Sequence, residues 1–403
     1  MSTTSVSTQR LAIDGGSPVR ARFLPYGRQS VDEADVQAVV NVLRSEWLTT
    51  GPKVGEFEEA FALRVGAEHA VSFSSGTAAL HAAAFAAGLK SGDEAVTTPI
   101  TFAATANCVL YQGATPVFAD VSPDTLNLDP ERVASKISAN TRAILPVDYA
   151  GHPADMAAIG EIADKHGLIV IEDACHALGA EYGGKRVGSI ADLTVFSFHP
   201  VKHITTGEGG MVTTDNARFA ETLRRFRNHG ISSEARQRQQ AGQWHYEMVL
   251  LGFNYRLPDI VCALGLEQLK RLDANLVRRR GIATMYAAAF RDFPAVIPPH
   301  VRAGVNPAWH LYPIRFDLSR LTANRAQIFR ALRAENIGVN VHYIPVHYHP
   351  YYRERFGSKI GEFPVAEAAY ERLISLPMFH GMNDGDVEDV IHAVKKVLGH
   401  YLK

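Results

Sequence analysis

The chain has 403 residues, of which 46% are hydrophobic, 21% charged and 9% aromatic, and 41 Lys and Arg residues against 42 Asp and Glu residues give a formal net charge of −1. At about 100–200 residues per domain, this length predicts two or three domains and excludes wholesale disorder and fibrous repeats. The balanced charge provides no basic surface for nucleic acid or for an anionic membrane. Small molecules are therefore the expected partners.

The cysteines and the N-terminus indicate the compartment. Cys108, Cys175 and Cys262 lie far apart and never form a C-x-x-C pair, so neither a disulfide framework nor a zinc site is predicted. Residues 1–9 form a Ser/Thr-rich tract without the apolar segment of a secretion signal. The most apolar helix candidate, residues 78–87, is shorter than the roughly 20 residues that a membrane span needs. We expect a soluble, cytoplasmic protein.

The first two thirds of the chain alternate between strand and helix patterns. Residues 30–33 (SVDE) fit a capping box that starts at Ser30, which predicts a helix over residues 31–45. Seven β-rich runs follow, and most are continuously apolar, as buried strands are. They cover residues 70–74, 94–98, 117–121, 143–149, 168–173, 193–198 and 211–214. Amphipathic helix patterns lie between most of them, so a βαβ architecture with a largely parallel sheet is predicted.

The pattern changes in the last third. Residues 258–293 predict one long helix, with Gly281 as the expected point of any interruption. A smaller α+β unit follows, with strands at 311–316 and 339–344 and helices at 323–335 and 387–398. We therefore divide the chain into an N-terminal arm (1–22), a large domain (23–280) and a small C-terminal domain (281–403).

Three strand ends carry the groups expected at a ligand site, because ligands of open α/β sheets bind at the carboxyl ends of the strands. After the first strand, residues 74–80 (SSGTAAL) open a helix whose free amides can bind a phosphate. Asp173 ends the fifth strand, where a buried carboxylate needs a cation or several donors. Lys202 follows the sixth strand and precedes the glycine-rich residues 207–210. A recessed lysine of this kind can act as a Schiff-base nucleophile.

Each of these features has an ordinary alternative when taken alone. Residues 74–80 could be a plain helix N-cap, and Lys202 could be a surface lysine in a salt bridge. Their coincidence at three neighbouring strand ends favours a pyridoxal phosphate site. In such a site the lysine binds the cofactor aldehyde, and the acid keeps the pyridine nitrogen protonated.

Five motifs, in this order, resemble those of the DegT/DnrJ/EryC1/StrS sugar aminotransferases. They are SGTAAL at 75–80, EDACHALG at 172–179, SFHPVK at 197–202, GEGG at 207–210 and GFNYR at 252–256. The resemblance runs from about residue 23 to the C-terminus. It implies an α/β fold of fold type I, like that of aspartate aminotransferase, with a seven-stranded, mostly parallel sheet and a smaller C-terminal α+β domain. It also implies a pyridoxal 5′-phosphate-dependent transaminase.

The resemblance implies roles for individual residues. Lys202 would form the Schiff base with pyridoxal 5′-phosphate and move protons, and Asp173 would pair with the pyridinium nitrogen. The other implied cofactor contacts are Gly76, Thr77 and Ser197 at the phosphate, His176 near the phenolic oxygen, Phe102 stacked on the ring, and Asn254 in the phosphate pocket of a neighbouring subunit. A homodimer with shared active sites follows from Asn254. Plain core packing is the alternative for Phe102.

The residues implied for the nucleotide-sugar cleft come from three segments. They are Tyr26, then Glu46, Trp47, Leu48 and Thr49, then Asn340, Val341, His342 and Tyr343. For Trp47, a core position at a helix end is the alternative. His342, His347 and His349 could also suggest a metal site, but prolines interrupt this segment and no cysteine lies nearby, so no metal is predicted.

The finer assignment depends on the segments VDYAG at 147–151, residues 202–210 and VHYIP at 341–345. They most resemble family members that aminate C4 of a UDP-linked 4-keto-6-deoxy-N-acetylhexosamine in pseudaminic acid synthesis, usually with L-glutamate as amino donor. One departure is His203, because relatives often carry proline after the lysine. Four alternatives stay open: a dTDP- or GDP-linked keto sugar, a keto-cyclitol, another pyridoxal phosphate reaction, and a non-catalytic regulatory member.

Overall fold

The computed structural model describes residues 10–233, 238 and 241–403. Its centre is a seven-stranded sheet with the spatial order β1-β7-β6-β5-β4-β2-β3. The strands are β1 (His69–Phe73), β2 (Glu94–Thr97), β3 (Thr115–Phe118), β4 (Thr141–Leu145), β5 (Ile169–Asp173), β6 (Leu193–Ser197) and β7 (Gly210–Thr214). Strands β2 to β6 pair in parallel, whereas β7 is antiparallel to both neighbours. The seven predicted strands and the α/β class are confirmed.

Helices cover both faces of this sheet and build the second unit. They are α1 (Glu33–Leu43), α2 (Pro52–Val65), α3 (Gly76–Ala86), α4 (Ala103–Tyr111), α5 (Pro130–Ala134), α6 (Met156–His166), α7 (Ala217–Phe226), α8 (Asp259–Lys270), α9 (Leu272–Phe290), α10 (Arg325–Ala334), α11 (Pro350–Phe356), α12 (Pro364–Tyr370) and α13 (Asp384–Tyr401). The alanine-rich helix α3 packs with α4 and α7 on one face. Helices α2 and α8 pack on the other. In the described residues, no helix combines the length and the apolar character needed to cross a bilayer.

The start of α1 differs from the prediction. The capping residue is Asp32 instead of Ser30, and its carboxylate accepts the amide of Asp35 at 3.1 Å while the Asp35 carboxylate accepts the amide of Asp32 at 3.0 Å. Asp35 is fully buried and also accepts a hydrogen bond from Gln268 of α8 at 2.8 Å. This tertiary contact fixes Asp35 in the first turn, so the box forms two residues later than predicted.

The predicted long helix over residues 258–293 is two helices. The break falls at Arg271, between α8 and α9, and Gly281 lies inside α9 with open space around its α-carbon. The break lets the Arg271 guanidinium form ion pairs with Asp32 and Asp35 at the start of α1. The prediction that Gly281 interrupts the helix was therefore wrong.

The C-terminal unit contains a three-stranded antiparallel sheet. Its strands are β8 (Val296–Ile297), β9 (Tyr312–Phe316) and β10 (Leu373–Leu376), with β9 in the middle. The strand predicted at 339–344 is wrong, because only Asn340 pairs with the sheet, opposite Ser375. The chain then leaves the sheet, and the Tyr149 hydroxyl of the large unit donates to the His342 carbonyl at 2.6 Å. This detour carries the predicted substrate segment toward the large domain.

The N-terminal segment packs onto the C-terminal unit. Leu11 and Leu24 are buried in its hydrophobic core. The buried Glu335 carboxylate accepts the amides of Ala12 and Val19, both at 2.9 Å, and forms an ion pair with Lys396 at 2.8 Å. The division into an arm, a large domain and a small domain stays a prediction.

We expect Glu335→Gln to lower the free energy of unfolding by about 3–5 kcal/mol, because it leaves the buried Lys396 ammonium without a counter-charge. Urea unfolding measures the change. The matched control is Glu267→Gln, which removes an ion pair with the exposed Lys270 and should cost less than about 1 kcal/mol. Equal losses in the two variants would contradict the prediction.

Candidate active site

A pocket of about 580 Å³ lies at the carboxyl ends of the central strands, beside the C-terminal unit. The structure brings twelve of the predicted site residues together around it. They are Tyr26, Gly76, Thr77, Phe102, Asp173, His176, Ser197, Lys202, Asn340, Val341, His342 and Tyr343. The position agrees with the rule that open α/β sheets bind ligands at their strand ends.

One end of the pocket is the start of α3. Ser75 caps the helix, with its hydroxyl accepting the amide of Ala78 at 3.1 Å. The amides of Gly76 and Thr77 belong to the first turn, where a helix supplies no carbonyl partner. A Cβ built on Gly76 would come within 2.9 Å of the Ser197 Cβ and 3.1 Å of its hydroxyl oxygen. Glycine therefore keeps open a cradle of amides and one hydroxyl that suits a phosphate.

We expect Gly76→Ala to weaken binding of pyridoxal phosphate by about 10-fold or more, because the added methyl group crowds Ser197 and displaces one anion contact. Titration of the cofactor-free protein, followed by visible absorbance, measures the affinity. Gly160→Ala is the matched control, since Gly160 lies in α6 with open space around it. A Gly76→Ala protein with wild-type affinity would contradict this use of the helix terminus.

Asp173 also lines the pocket, at the end of β5. It is 5% exposed, and its carboxylate accepts hydrogen bonds from the Thr105 hydroxyl at 2.6 Å and from the Cys175 amide at 3.1 Å. Thr105 is in turn bonded to Thr101 at 2.7 Å. These donors fix the carboxylate facing the pocket. Thr105 was not among the predicted site residues, because it lies 68 positions away on α4.

Lys202 lies on the loop that follows β6, where its amide donates to the His199 carbonyl at 2.9 Å. Burial lowers the pKa of its amine, although the nearby Cys175 and Asp173 raise it. A lower pKa increases the neutral fraction of the amine at neutral pH, which is the nucleophilic form. Lys202 lines the pocket and belongs to no ion pair found among the described residues, which disfavours the alternative of a salt-bridged surface lysine.

Four buried histidines surround Lys202. The His176 and His310 rings lie 4.4 Å apart, and the Nε2 of His203 donates to the Ala308 carbonyl at 3.1 Å. Burial, followed by nearby positive charge, lowers the pKa of His176, His203 and His310 well below the ordinary value, and it lowers the pKa of His342 to about 3. The rings are therefore neutral at pH 7. His310, which the sequence analysis missed, also lines the pocket.

An aromatic and polar wall faces the strand ends. The rings of Tyr26 and His342 are 5.3 Å apart, and the Asn340 amide lies 3.3 Å from the His342 Nε2. The Tyr343 hydroxyl hydrogen bonds to the His176 Nε2 at 3.0 Å. Phe102 is 61% exposed at the pocket, with its ring 6.1 Å from that of Tyr343, so plain core packing is wrong for Phe102. An exposed phenyl ring that lines the same pocket as Asp173 can stack on a planar ligand.

Five predicted residues do not line this pocket. Glu46, Leu48, Thr49 and Asn254 are exposed. Trp47 is partly exposed, so it is not a core residue, and it lines a different cavity near Asp259. The roles of these residues stay predictions.

The residues present fit pyridoxal phosphate. The cradle at Gly76 suits the phosphate, the fixed carboxylate of Asp173 suits a protonated pyridine nitrogen, and the Lys202 amine suits the aldehyde. In addition, the Nδ1 of His176 is buried without a hydrogen-bond partner in the described structure. A polar group of the cofactor would satisfy it.

Comparisons with known proteins identify the family. Residues 29–395 match the model of the DegT/DnrJ/EryC1/StrS aminotransferase family. The chain is 45% identical over 381 residues to the spore coat polysaccharide biosynthesis protein SpsC of Bacillus subtilis, covering 94% of this chain and 98% of SpsC.

Solved structures are similar as well. Helicobacter pylori PseC, an aminotransferase involved in the biosynthesis of pseudoaminic acid, superimposes with a TM-score of 0.88 at 35% identity, over 94% of this chain and 100% of PseC. The sugar aminotransferase Spr1654 of Streptococcus pneumoniae, described as putative and solved in its pyridoxal phosphate form, gives a TM-score of 0.88 at 31% identity, over 94% of this chain and 100% of Spr1654. The family resemblance, the fold type and the cofactor are thereby confirmed. The chain belongs to the DegT/DnrJ/EryC1/StrS aminotransferase family and is a pyridoxal phosphate-dependent sugar aminotransferase.

Proposed function

We propose that the enzyme transfers an amino group from L-glutamate to the C4 keto group of a nucleotide-linked 4-keto-6-deoxy sugar, with a UDP-linked N-acetylhexosamine as the first candidate. The observation that carries this proposal is one continuous pocket that joins Lys202 and Asp173 to the wall of Tyr26, Asn340 and His342. Aromatic faces with amide and imidazole groups suit a uracil ring and a sugar. The likeness to PseC supports the same substrate class.

The side chains divide the work of the two half-reactions. Bound pyridoxal phosphate supplies an aldehyde that carries the amino group and a ring that accepts electrons. Lys202 takes the proton from the carbon of the amino donor and returns it on the cofactor side, acting first as base and then as acid. Asp173 keeps the pyridine nitrogen protonated. The neutral imidazoles of His176 and His310 offer hydrogen bonds without adding charge.

The proposal is tested by incubating the holoenzyme and L-glutamate with UDP-, dTDP- and GDP-linked 4-keto-6-deoxy sugars. We expect an aminated product, identified by its mass, from the UDP-linked N-acetylhexosamine, together with one 2-oxoglutarate for each amino sugar. Amination of only the dTDP- or GDP-linked sugar would move the proposal to that nucleotide. Release of more than one 2-oxoglutarate per active site, or of carbon dioxide, without an aminated sugar would contradict it.

We also propose that the enzyme is a homodimer with shared active sites, located in the cytoplasm. The exposed Asn254 follows a stretch with exposed apolar side chains, namely Trp244 (84% exposed), Met248 (67%) and Leu251 (75%). Such a patch favours a protein partner, and a second copy covering it would bring Asn254 to another site.

The proposed location in the cytoplasm is supported by the three free cysteines, which suit a reducing compartment.

The shared site has a direct test by complementation. Lys202→Ala and Asn254→Ala proteins are each expected to be inactive alone. After unfolding and refolding together, a mixed dimer would contain one site with both residues intact, and we expect about a quarter of the wild-type activity, because mixed dimers form half of a random mixture and carry one good site each. No recovery in a mixture that does form mixed dimers would contradict the sharing.

A further inference from the structure

Two more carboxyl groups lie directly behind Asp173. Glu172 precedes Asp173 on β5. Asp148 lies just beyond the end of β4, the strand that pairs with β5. Both side chains are fully buried. Successive side chains of a strand point to opposite faces of the sheet, so Glu172 lies on the face away from the pocket. These groups therefore belong to the support of the site and do not touch a ligand.

In each of these two carboxyl groups, one oxygen accepts a hydrogen bond and the other does not. The Asp148 Oδ1 accepts the Ala154 amide at 2.9 Å, and the Glu172 Oε2 accepts the Thr194 hydroxyl at 2.9 Å. The other two oxygens, Asp148 Oδ2 and Glu172 Oε1, are buried and find no donor among the described residues. Because Val147 pairs with Asp173 across these neighbouring strands, the side chains of Asp148 and Glu172 lie on the same face of the sheet. Two buried carboxyl groups placed together in this way can hydrogen bond to each other only if one of them keeps its proton.

The charges around the pair agree with a retained proton. Burial and then the charge of Glu172 raise the pKa of Asp148 well above its ordinary range, and burial raises the pKa of Glu172 to about 7. The other titratable groups that act on the pair are Asp173, which is acidic, and the Cys175 thiol. Two buried carboxylates side by side would repel each other strongly.

The pair is connected to Asp173 through the backbone. The Asp148 amide donates to the Asp173 carbonyl at 3.1 Å, and the Asp173 amide donates to the Pro146 carbonyl at 2.9 Å. A change in the charge or position of Asp148 therefore affects the position of Asp173, the residue expected to pair with the pyridine nitrogen. The roles proposed above for the site residues involve neither of these two buried acids.

We propose that Asp148 and Glu172 share a single proton and act as positioning residues for Asp173, holding one negative charge, instead of two or none, behind the pyridine-binding carboxylate. One charge supports the positive pyridine ring, whereas a second would be repelled by Asp173. Neither residue of the pair was predicted to contact the cofactor or the substrate. Its effect on the cofactor rests on the proposed role of Asp173, but the shared proton does not.

The proton is tested first, on the cofactor-free protein, by infrared spectroscopy at pH 7. Ordinary exposed carboxyls with a pKa near 4 are ionised there, so we expect the wild-type protein to show the carbonyl stretch of one protonated carboxyl. Asp148→Asn and Glu172→Gln should each lose this band, because an amide then donates to the remaining carboxylate. Asp120→Asn is the control and keeps the band, since the buried Asp120 accepts backbone amides. Absence of the band from wild type would overturn the proposal.

The charge is tested second, on the holoenzyme, by the pH titration of its visible absorbance. Either single amide variant keeps one negative charge and should leave the apparent pKa within about 0.3 units of wild type. The double variant has none, and its apparent pKa should fall by on the order of one unit, because the protonated form loses a favourable charge. The proposal would be overturned if the apparent pKa of a single variant shifted as much as that of the double variant. It would also be overturned if a folded double variant showed no shift. If the double variant does not fold, the single variants still decide. Failure of wild type to bind pyridoxal phosphate would instead overturn the proposed function and leave the infrared result valid.

Discussion

Lys202→Ala is expected to remove transamination and the visible absorbance of the bound cofactor while leaving the fold intact. Loss of proton transfer alone lowers a rate by about 10²- to 10⁴-fold, and loss of the covalent attachment adds to it. The side chain lines the pocket and belongs to no ion pair found in the described residues, so its truncation should change stability by less than about 1 kcal/mol. Measurements of kcat and of the absorbance spectrum, with circular dichroism for the fold, check each part.

Lys270→Ala is the matched control. Lys270 is an exposed lysine at the end of α8 that forms an ion pair with Glu267, and its loss should leave activity and absorbance at wild-type levels. A Lys202→Ala protein that keeps more than about a tenth of wild-type kcat would contradict the role of Lys202.

The pKa of Lys202 adds a pH dependence to this prediction. Burial lowers that pKa below the ordinary lysine value of about 10.4, and only the neutral amine attacks an aldehyde. The rate at which the cofactor-free protein takes up pyridoxal phosphate should therefore rise with pH and reach half its maximum at a lower pH than the pKa of a free lysine side chain. A midpoint at or above the value of a free lysine would show an unperturbed amine.

The sequence predicted the central sheet well because its strands are continuous apolar runs that leave no ambiguity between the faces of a strand. It predicted less where several local solutions were equally good. The sequence pattern placed a capping box at Ser30, whereas the box forms at Asp32, where Asp35 also contacts Gln268 on a distant helix. Residues 339–344 have a strand pattern, yet the chain turns from the sheet at His342 toward the large domain.

The same limit applies to the site. Gly76, Asp173 and Lys202 were recognised because each lies at the end of a predicted strand, where chain order alone indicates the location. Thr105 and His310 come from a helix face and from the connection before β9, and no local pattern relates either residue to Asp173 or His176. Their contacts exist only after the fold brings distant segments together.

Asp173→Asn is expected to have the second largest effect on catalysis. The amide keeps the shape of the side chain and an oxygen that accepts the Thr105 hydroxyl, so the site should remain assembled. It carries no negative charge, however, and cannot keep the pyridine nitrogen protonated. A hydrogen bond to a charged group is worth about 1.5–3 kcal/mol, so pyridoxal phosphate should bind about 10- to 100-fold more weakly.

The effect of Asp173→Asn on kcat should exceed its effect on affinity, because a neutral ring is a poor acceptor of electrons in the step that Lys202 catalyses. We expect kcat at saturating cofactor to fall at least about 100-fold. Thr105→Val is the companion variant, since it keeps the charge of Asp173 and removes the 2.6 Å hydrogen bond from Thr105, together with the bond between Thr105 and Thr101. Its kcat should fall about 10-fold. If the two variants lost activity equally, the orientation of Asp173 would matter more than its charge. If neither lost activity, Asp173 would not contact the cofactor.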